Sequence, residues 1–288
     1  MVALDGPFLG SEALSSGLVR KHQLRSQYAA LFPGVYVEAQ VQPTFAQRVE
    51  AAWLWSRRGG IVAGLSAARL HGSRWVDDAS SIELIWSNAR PPKGISTYAV
   101  ALGEGETATL SRLPVTSRVR TAFDLARRQP FNAAIAHLDA LANAAPFDCA
   151  DVLDLAAHHR GVPGLRQVER ALDLHDPGAQ SPKETWLRLV VVGAGFPRPR
   201  TQIPVVVGGN ARPKYYLDMG WEDSKVAIEY DGDQHRTDRA QFAKDVIRLE
   251  ELADLGWIVV RVVAGTPPTE VIRRLRNAWN ARAPSILR

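Results

Sequence analysis

The segment Lys225-Val-Ala-Ile-Glu-Tyr-Asp-Gly-Asp-Gln-His235 concentrates the groups best able to do chemistry. Alternate side chains of a strand point to opposite faces, so Val226 and Ile228 share one face while Ala227, Glu229 and Asp231 share the other. Gly232 ends the strand and permits a tight turn. Upstream, Tyr215-Tyr-Leu-Asp218 closes a second strand. The short connection from Gly220 to Ser224 predicts a hairpin that brings Asp218 beside Glu229. Carboxylates gathered at adjoining strand ends repel one another unless a cation lies between them. A hard ion with oxygen preference, Mg2+ or Mn2+, resolves that repulsion. Such an ion polarises a phosphoryl oxygen and lowers the pKa of an attacking water. His235, just past the turn, suits a general base or a leaving-group acid.

Each of these residues also has a plain structural reading. Asp218 can be a strand-end turn residue, Asp231-Gly232-Asp233 a hairpin turn, and His235 a solvated loop histidine. Asp245 and Arg248 lie three apart on an expected helix, where an ion pair competes with any catalytic role. Glu229 is the hardest to excuse, because a carboxylate on an otherwise apolar strand is costly unless paired or bound. Trp257 and Val259 read as core.

The elements that must position these residues emerge from punctuation and periodicity. Residues 177–288 read as helix (Pro182 to Val192), strands (Gln202 to Val207, Tyr215 to Gly220, Val226 to Tyr230), helix (Arg239 to Leu255), strand (Ile258 to Val263) and helix (Pro268 to Arg282). Strands framed by helices make an α/β sandwich with a mixed sheet. Asp176-Pro177-Gly178 marks the boundary before it. Residues 1–42 read as two short helices and a hairpin folded at Pro33-Gly34, with Gly17 as the interhelical turn residue. That is the order of a winged helix-turn-helix, whose second helix carries Arg20, Lys21, His22, Arg25 and Gln27, side chains suited to phosphates or base edges. A small helical cap with a solvated basic face is the competing reading. Residues 43–176 hold a mixed α/β region and then four helices, one of which ends at His158-His159-Arg160, where cations suit a helix C-terminus. The expected class is α/β multidomain.

Seven motifs in order then carry a resemblance: Ser181-Pro-x-Glu184, Gly195-Phe-Pro-x-Pro199, Tyr216-Leu-Asp218, Ile228-Glu-Tyr-Asp-Gly232, Gln234-His235, Asp245-x-x-Arg248 and Gly256-Trp-x-Val-Val-Arg261. Together they resemble the endonuclease-like domains related to very-short-patch-repair enzymes within the PD-(D/E)XK superfamily. The resemblance implies a restriction-endonuclease-like fold and metal-dependent phosphodiester hydrolysis. By motif, it makes Asp218, Glu229 and Asp231 metal ligands, Glu184 the supporting acid of the first helix, and His235 a further catalytic residue. Where the superfamily pattern has Lys two residues after the second acid, this chain has Asp231, so the transition-state cation is unassigned. Lys225, Lys244 and Arg248 are the candidates. The front half resembles AbiEi-type antitoxins and regulators through Phe32-Pro-Gly-Val-Tyr-Val37, Gly64-Leu-Ser-Ala-Ala-x-Leu-His-Gly72 and Pro114-Val-Thr-Ser-x-x-Arg-Thr-Ala-x-Asp-Leu125. That resemblance implies an N-terminal winged helix, makes Gly64 to Gly72 a packing motif, and leaves His71, Arg118 and Arg120 with undefined contacts.

Composition bounds the rest. With 46% hydrophobic and 23% charged residues in 288, wholesale disorder is excluded. One cysteine, Cys149, allows no internal disulfide and favours a reducing, cytoplasmic setting. No apolar run approaches the roughly 20 residues of a spanning helix, and no signal peptide is expected. Net charge is +5, of which residues 177–288 supply +4 from 17 basic and 13 acidic side chains. Arginine outnumbers lysine 29 to 6, which suits phosphate but is equally expected of GC-rich coding. The expected partners are double-stranded DNA, a second copy of the chain, and a toxin or repair partner. The leading expectation is a DNA-binding endonuclease dependent on Mg2+ or Mn2+. The alternative is a non-catalytic winged-helix regulator, an antitoxin-like repressor with a degenerate nuclease fold.

Overall fold

A computed structural model describes residues 6–88, 90–208, 212–232 and 239–282, with 239–243 as backbone alone. The chain divides into two compact units between Asp173 and Leu174, three residues before the turn Asp176-Pro177-Gly178.

The first unit opens with β1 (Phe8–Leu9), α1 (Gly10–Ser15), α2 (Lys21–Gln27), β2 (Tyr28–Phe32) and β3 (Val35–Glu38). Strand β3 runs antiparallel to both β1 and β2, giving the order β1-β3-β2. The two helices and the hairpin follow in the expected order, with the short strand β1 added before them. Gly34 makes the hairpin turn at φ +80°, and Gly17 the interhelical turn at φ +71°, conformations that cost a side-chain-bearing residue about 1 kcal/mol or more. Ala13, Val19 and Leu24 are buried under Phe8, Tyr28 and Tyr36, so Leu24 does turn toward the first helix. Phe32 and Val35 join a larger core with Val49 and Leu54, which ties the hairpin to the next helix.

That helix is α3 (Phe45–Trp55), and after it the chain forms β4 (Ile61–Val62), α4 (Gly64–Leu70), β5 (Ile82–Ile85), β6 (Ile95–Tyr98), β7 (Thr107–Leu110) and β8 (Leu113–Thr116). These strands form a mixed five-stranded sheet in the order β6-β5-β4-β8-β7. Helices α5 (Arg118–Arg128), α6 (Phe131–Ala144), α7 (Cys149–His158) and α8 (Leu165–Leu174) complete the run. Arg120, 1% exposed, lies between Glu106 and Asp124, with Nε 3.0 Å from Asp124 Oδ2. Arg127 Nη2 meets the other Asp124 oxygen at 2.7 Å, and His159 Nε2 meets Glu106 Oε1 at 2.6 Å. His159 therefore does more than cap α7: it joins a buried ionic network. Arg118 Nη1 donates to the carbonyl of Pro146 at 3.0 Å, and His71 Nε2 lies 2.8 Å from the carbonyl of Thr116. Their contacts hold the fold together. Gly64 sits at φ +54° with the Glu83 carboxylate where a Cβ would be, so Gly64 to Gly72 packs closely as a motif should.

The second unit comprises α9 (Pro182–Gly193), β9 (Arg200–Val205), β10 (Tyr215–Trp221), β11 (Val226–Asp231), α10 (Arg239–Asp254), β12 (Ile258–Val263) and α11 (Pro268–Asn280). The sheet order is β12-β11-β10-β9, with β11 and β12 parallel and the other pairs antiparallel. Helices cover both faces. Val226, Ile228, Val260 and Val262 pack with Leu187 and Val191 of α9 and Val271 and Leu275 of α11. Ala227 and Trp257 pack with Leu252 of α10 on the opposite face. The molecule is thus an α/β multidomain protein built on mixed sheets. No helix among the described residues is long and apolar enough to cross a membrane.

Candidate functional site

The site in the second unit begins with strand pairing. Met219 pairs with Ile228 and Trp221 with Val226, and one step further along this register sets Asp218 opposite Glu229. The Tyr230 backbone N–H donates to Asp218 Oδ2 at 2.9 Å, which fixes the carboxyl across the strand junction.

The pleat of β10 breaks at Asp218. Tyr215 and Leu217 pack with Leu252 and Trp257 on the α10 face, whereas Met219 and Trp221 pack on the α9 and α11 face. Strict alternation would keep all four on one side. Gln202, which lies across from Asp218 on β9, has a left-handed φ of +49°. A left-handed residue without glycine's freedom is the kind of strain that concentrates at functional sites.

Electrostatics single out the same carboxyl. Asp218 is pushed from 3.8 up to about 7, first by burial and then by the charges of Glu184 and Glu229, against the opposing pull of the Tyr230 N–H and Arg248. The charges of Glu184 and Glu229 thus act on Asp218 in addition to its burial, which is the larger cause. Glu184 reaches it from the first turn of α9, where it also caps the helix. It accepts from Ser181 Oγ at 2.9 Å and from the Gln180 N–H at 2.8 Å, while its own N–H donates to Ser181 Oγ at 3.2 Å.

Glu229, 6% exposed, faces α10 and is held by Arg248. Arg248 Nη1 donates to Oε2 at 2.9 Å, Nη2 donates to Oε1, and Nη2 also reaches the carbonyl of Tyr216 at 3.2 Å. Asp231 lies on the same face, with Oδ2 accepting from Arg261 Nη2 at 2.6 Å. Arg261 is the parallel-strand partner of Glu229 and lies 3.9 Å from Asp245. Of the three candidate cations Lys225, Lys244 and Arg248, Arg248 is the one brought to the acids. Lys225 stacks on Trp257, 4.8 Å from the ring centre, at the opposite end of β11, and Lys244 is exposed on α10. His235 lies outside the described residues.

The residues suit a hard divalent ion at Asp218 and Glu229. Every donor is a carboxylate oxygen, the set that Mg2+ or Mn2+ prefers. Among the described residues no three His, Cys, Asp or Glu side chains converge as a ready-made metal cage. Glu229 and Asp231 are each engaged by an arginine instead.

Arg261 is the hardest partner to read from sequence. It stands in an otherwise apolar strand, and only the β11–β12 register reveals that it faces the acids. In the first unit, Arg20, Lys21, Arg25 and Gln27 are all exposed on or beside α2, whose buried residue is Leu24.

No family model matches the chain. Two curated relatives, the uncharacterized proteins MT2308 and Rv2248 of two Mycobacterium tuberculosis strains, are each 29% identical over 143 residues, covering 50% of this chain and 52% of theirs. The chain spans about half the length of the curated relatives it matches. A solved structure, the RV2827C protein from Mycobacterium tuberculosis, aligns with a TM-score of 0.41 at 18% identity over 59% of this chain and 72% of that one.

Proposed function

We propose that this chain is a cytoplasmic DNA-binding protein whose second unit hydrolyses phosphodiester bonds with Mg2+ or Mn2+. The observation that carries the reading is the pair Asp218 and Glu229, opposed across a broken pleat, with Glu184 close enough to help push Asp218 up to about 7. Asp218 and Glu229 would hold the ion, with Asp231 as a third ligand once it leaves Arg261. The bound ion would polarise the phosphoryl oxygen and ionise the attacking water. Glu184 orients and charges the site from α9. Arg248 supplies positive charge where the superfamily pattern has lysine, and His235 handles the proton of water or leaving group. The exposed face of α2, with Arg20, Lys21, Arg25 and Gln27, would grip duplex DNA mainly through phosphates.

Plasmid nicking tests this reading. Wild type should nick in Mg2+ or Mn2+, and Asp218→Asn with Glu229→Gln should lose at least about a hundredfold in rate, as removal of metal-held charge stabilisation does. Unchanged nicking by the double variant would refute the mechanism.

A second reading has its own support. Arg248 and Arg261 already balance Glu229 and Asp231, as expected of a nuclease fold retained for recognition in an antitoxin-like repressor. It predicts salt-sensitive duplex binding without divalent ions and no cleavage of any substrate. A toxin or repair partner, or a second copy of the chain, belongs to either reading.

A further inference from the structure

Arg248 occupies the carboxylate that the divalent ion would need. Its two terminal nitrogens bind the two oxygens of Glu229 in a bidentate fork, the strongest geometry open to this pair. That fork uses the best acceptor directions of both oxygens. A divalent ion placed on the same oxygens would face the guanidinium at close range. Like charges at that separation repel, so the ion and the guanidinium compete for the same carboxylate.

Arg248 is also placed to leave. Its side chain retains 23% exposure while that of Glu229 retains 9%. The Tyr216 carbonyl and the Tyr215 ring, 5.6 Å from the guanidinium carbon, are its other supports. Neither of these two is charged; Glu229 holds the guanidinium by a charge-assisted fork, and the charges of Asp218 and Asp245 act on it as well. A phosphodiester offers the guanidinium the same planar pair of oxygens that Glu229 offers.

We propose that Arg248 is a substrate-released latch: it excludes the divalent ion from Glu229 in the free protein and transfers to a DNA phosphate when duplex binds. DNA and metal then bind with positive coupling, and the acid site is assembled on its substrate. This rests on the reading of Asp218 and Glu229 as the metal site.

The experiment is Mn2+ titration by calorimetry into the full chain, with and without a short duplex. The proteins are wild type, Arg248→Gln, Arg248→Lys and the Asp218→Asn/Glu229→Gln double variant, which also reports Mn2+ bound by the duplex alone. Wild type should bind Mn2+ about tenfold or more tightly with duplex present, within the usual range of coupling between two sites. Arg248→Gln should bind Mn2+ about tenfold more tightly than wild type without DNA, and should gain little from adding it. Arg248→Lys, a point charge without the fork, should fall between, and it decides the matter if the glutamine variant does not melt cooperatively. Mn2+ binding that needs Asp218 and Glu229 but is no tighter in either Arg248 variant would overturn the latch and leave the metal site standing. Mn2+ binding indifferent to the double variant would remove the metal site and the latch with it.

Discussion

At the scale of single residues, Asp218 carries an energetic cost that an apolar side chain would not. Its carboxyl ionises near 7 in the folded chain against an ordinary 3.8, with burial the largest cause and the charges of Glu184 and Glu229 next. Between those two values the folded chain holds a proton that the unfolded chain has released. Stability therefore declines as pH rises from about 4 to about 7, and the decline is complete above that. Asparagine keeps the acceptor that the Tyr230 N–H uses and cannot ionise. Asp218→Asn should stabilise the second unit by on the order of 1–3 kcal/mol at pH 8 without divalent ions, and by clearly less at pH 5. Denaturant unfolding at the two pH values reads this directly, and an equal effect at both would show that Asp218 ionises normally. Added Mn2+ should stabilise wild type chiefly when duplex is also present, and should leave the variant unmoved in either case.

At the scale of elements, the two units solve the burial of charge differently. The first closes it into a network. Arg120 is fully enclosed by Glu106 and Asp124, Asp124 also takes Arg127, and Glu106 also takes His159. Removing the central cation deprives two buried carboxylates of the partner they share, and breaking a buried pair from one side costs about 3–5 kcal/mol. Arg120→Met, which keeps most of the volume, should lower stability by that amount, while Mn2+ binding by the second unit should not change. A variant as stable as wild type would mean the network contributes nothing net. The sequence showed the elements of both units because their apolar periods are strong, as with Ala227 and Glu229 set against Val226 and Ile228. It hid β4, whose two residues Ile61 and Val62 are too few for a period yet lie at the centre of the five-stranded sheet. Arg120, in the motif Arg-Thr-Ala-x-Asp, could not be told from a surface arginine in an i,i+4 pair with Asp124, because its second acid, Glu106, arrives only through the fold. The site was legible as a set of acids, through Asp218 beside Glu229. It was not legible as a set of pairs, because Arg248 and Arg261 reach those acids only once α10 and β12 are laid beside β11. Nor did alternation foresee the pleat break at Asp218, which is a property of pairing with β9 and β11 and not of β10 alone.

At the scale of the whole molecule, the proposed function assigns binding and cutting to different units, so each can be removed without the other. Arg20, Lys21 and Arg25 are exposed, and their substitution takes nothing from the core that Leu24 anchors. Every phosphate these side chains neutralise releases condensed counterions, so removing one such cation reduces the slope of log K against log salt by about 0.9. The triple alanine variant should therefore bind duplex more weakly at moderate salt and show a slope shallower by about 2 to 3. Its rate of nicking at saturating DNA should stay within about twofold of wild type, because the acids are untouched. Asp218→Asn with Glu229→Gln should do the reverse, binding with the wild-type slope and failing to cut. Fluorescence anisotropy over a salt series, run beside the nicking assay, separates the two. An unchanged slope in the triple variant would move the DNA-binding surface off α2. If the triple variant at saturating DNA showed both a flattened slope and no nicking, the α2 face would do more than deliver the substrate, and the division of labour between the units would have to be abandoned.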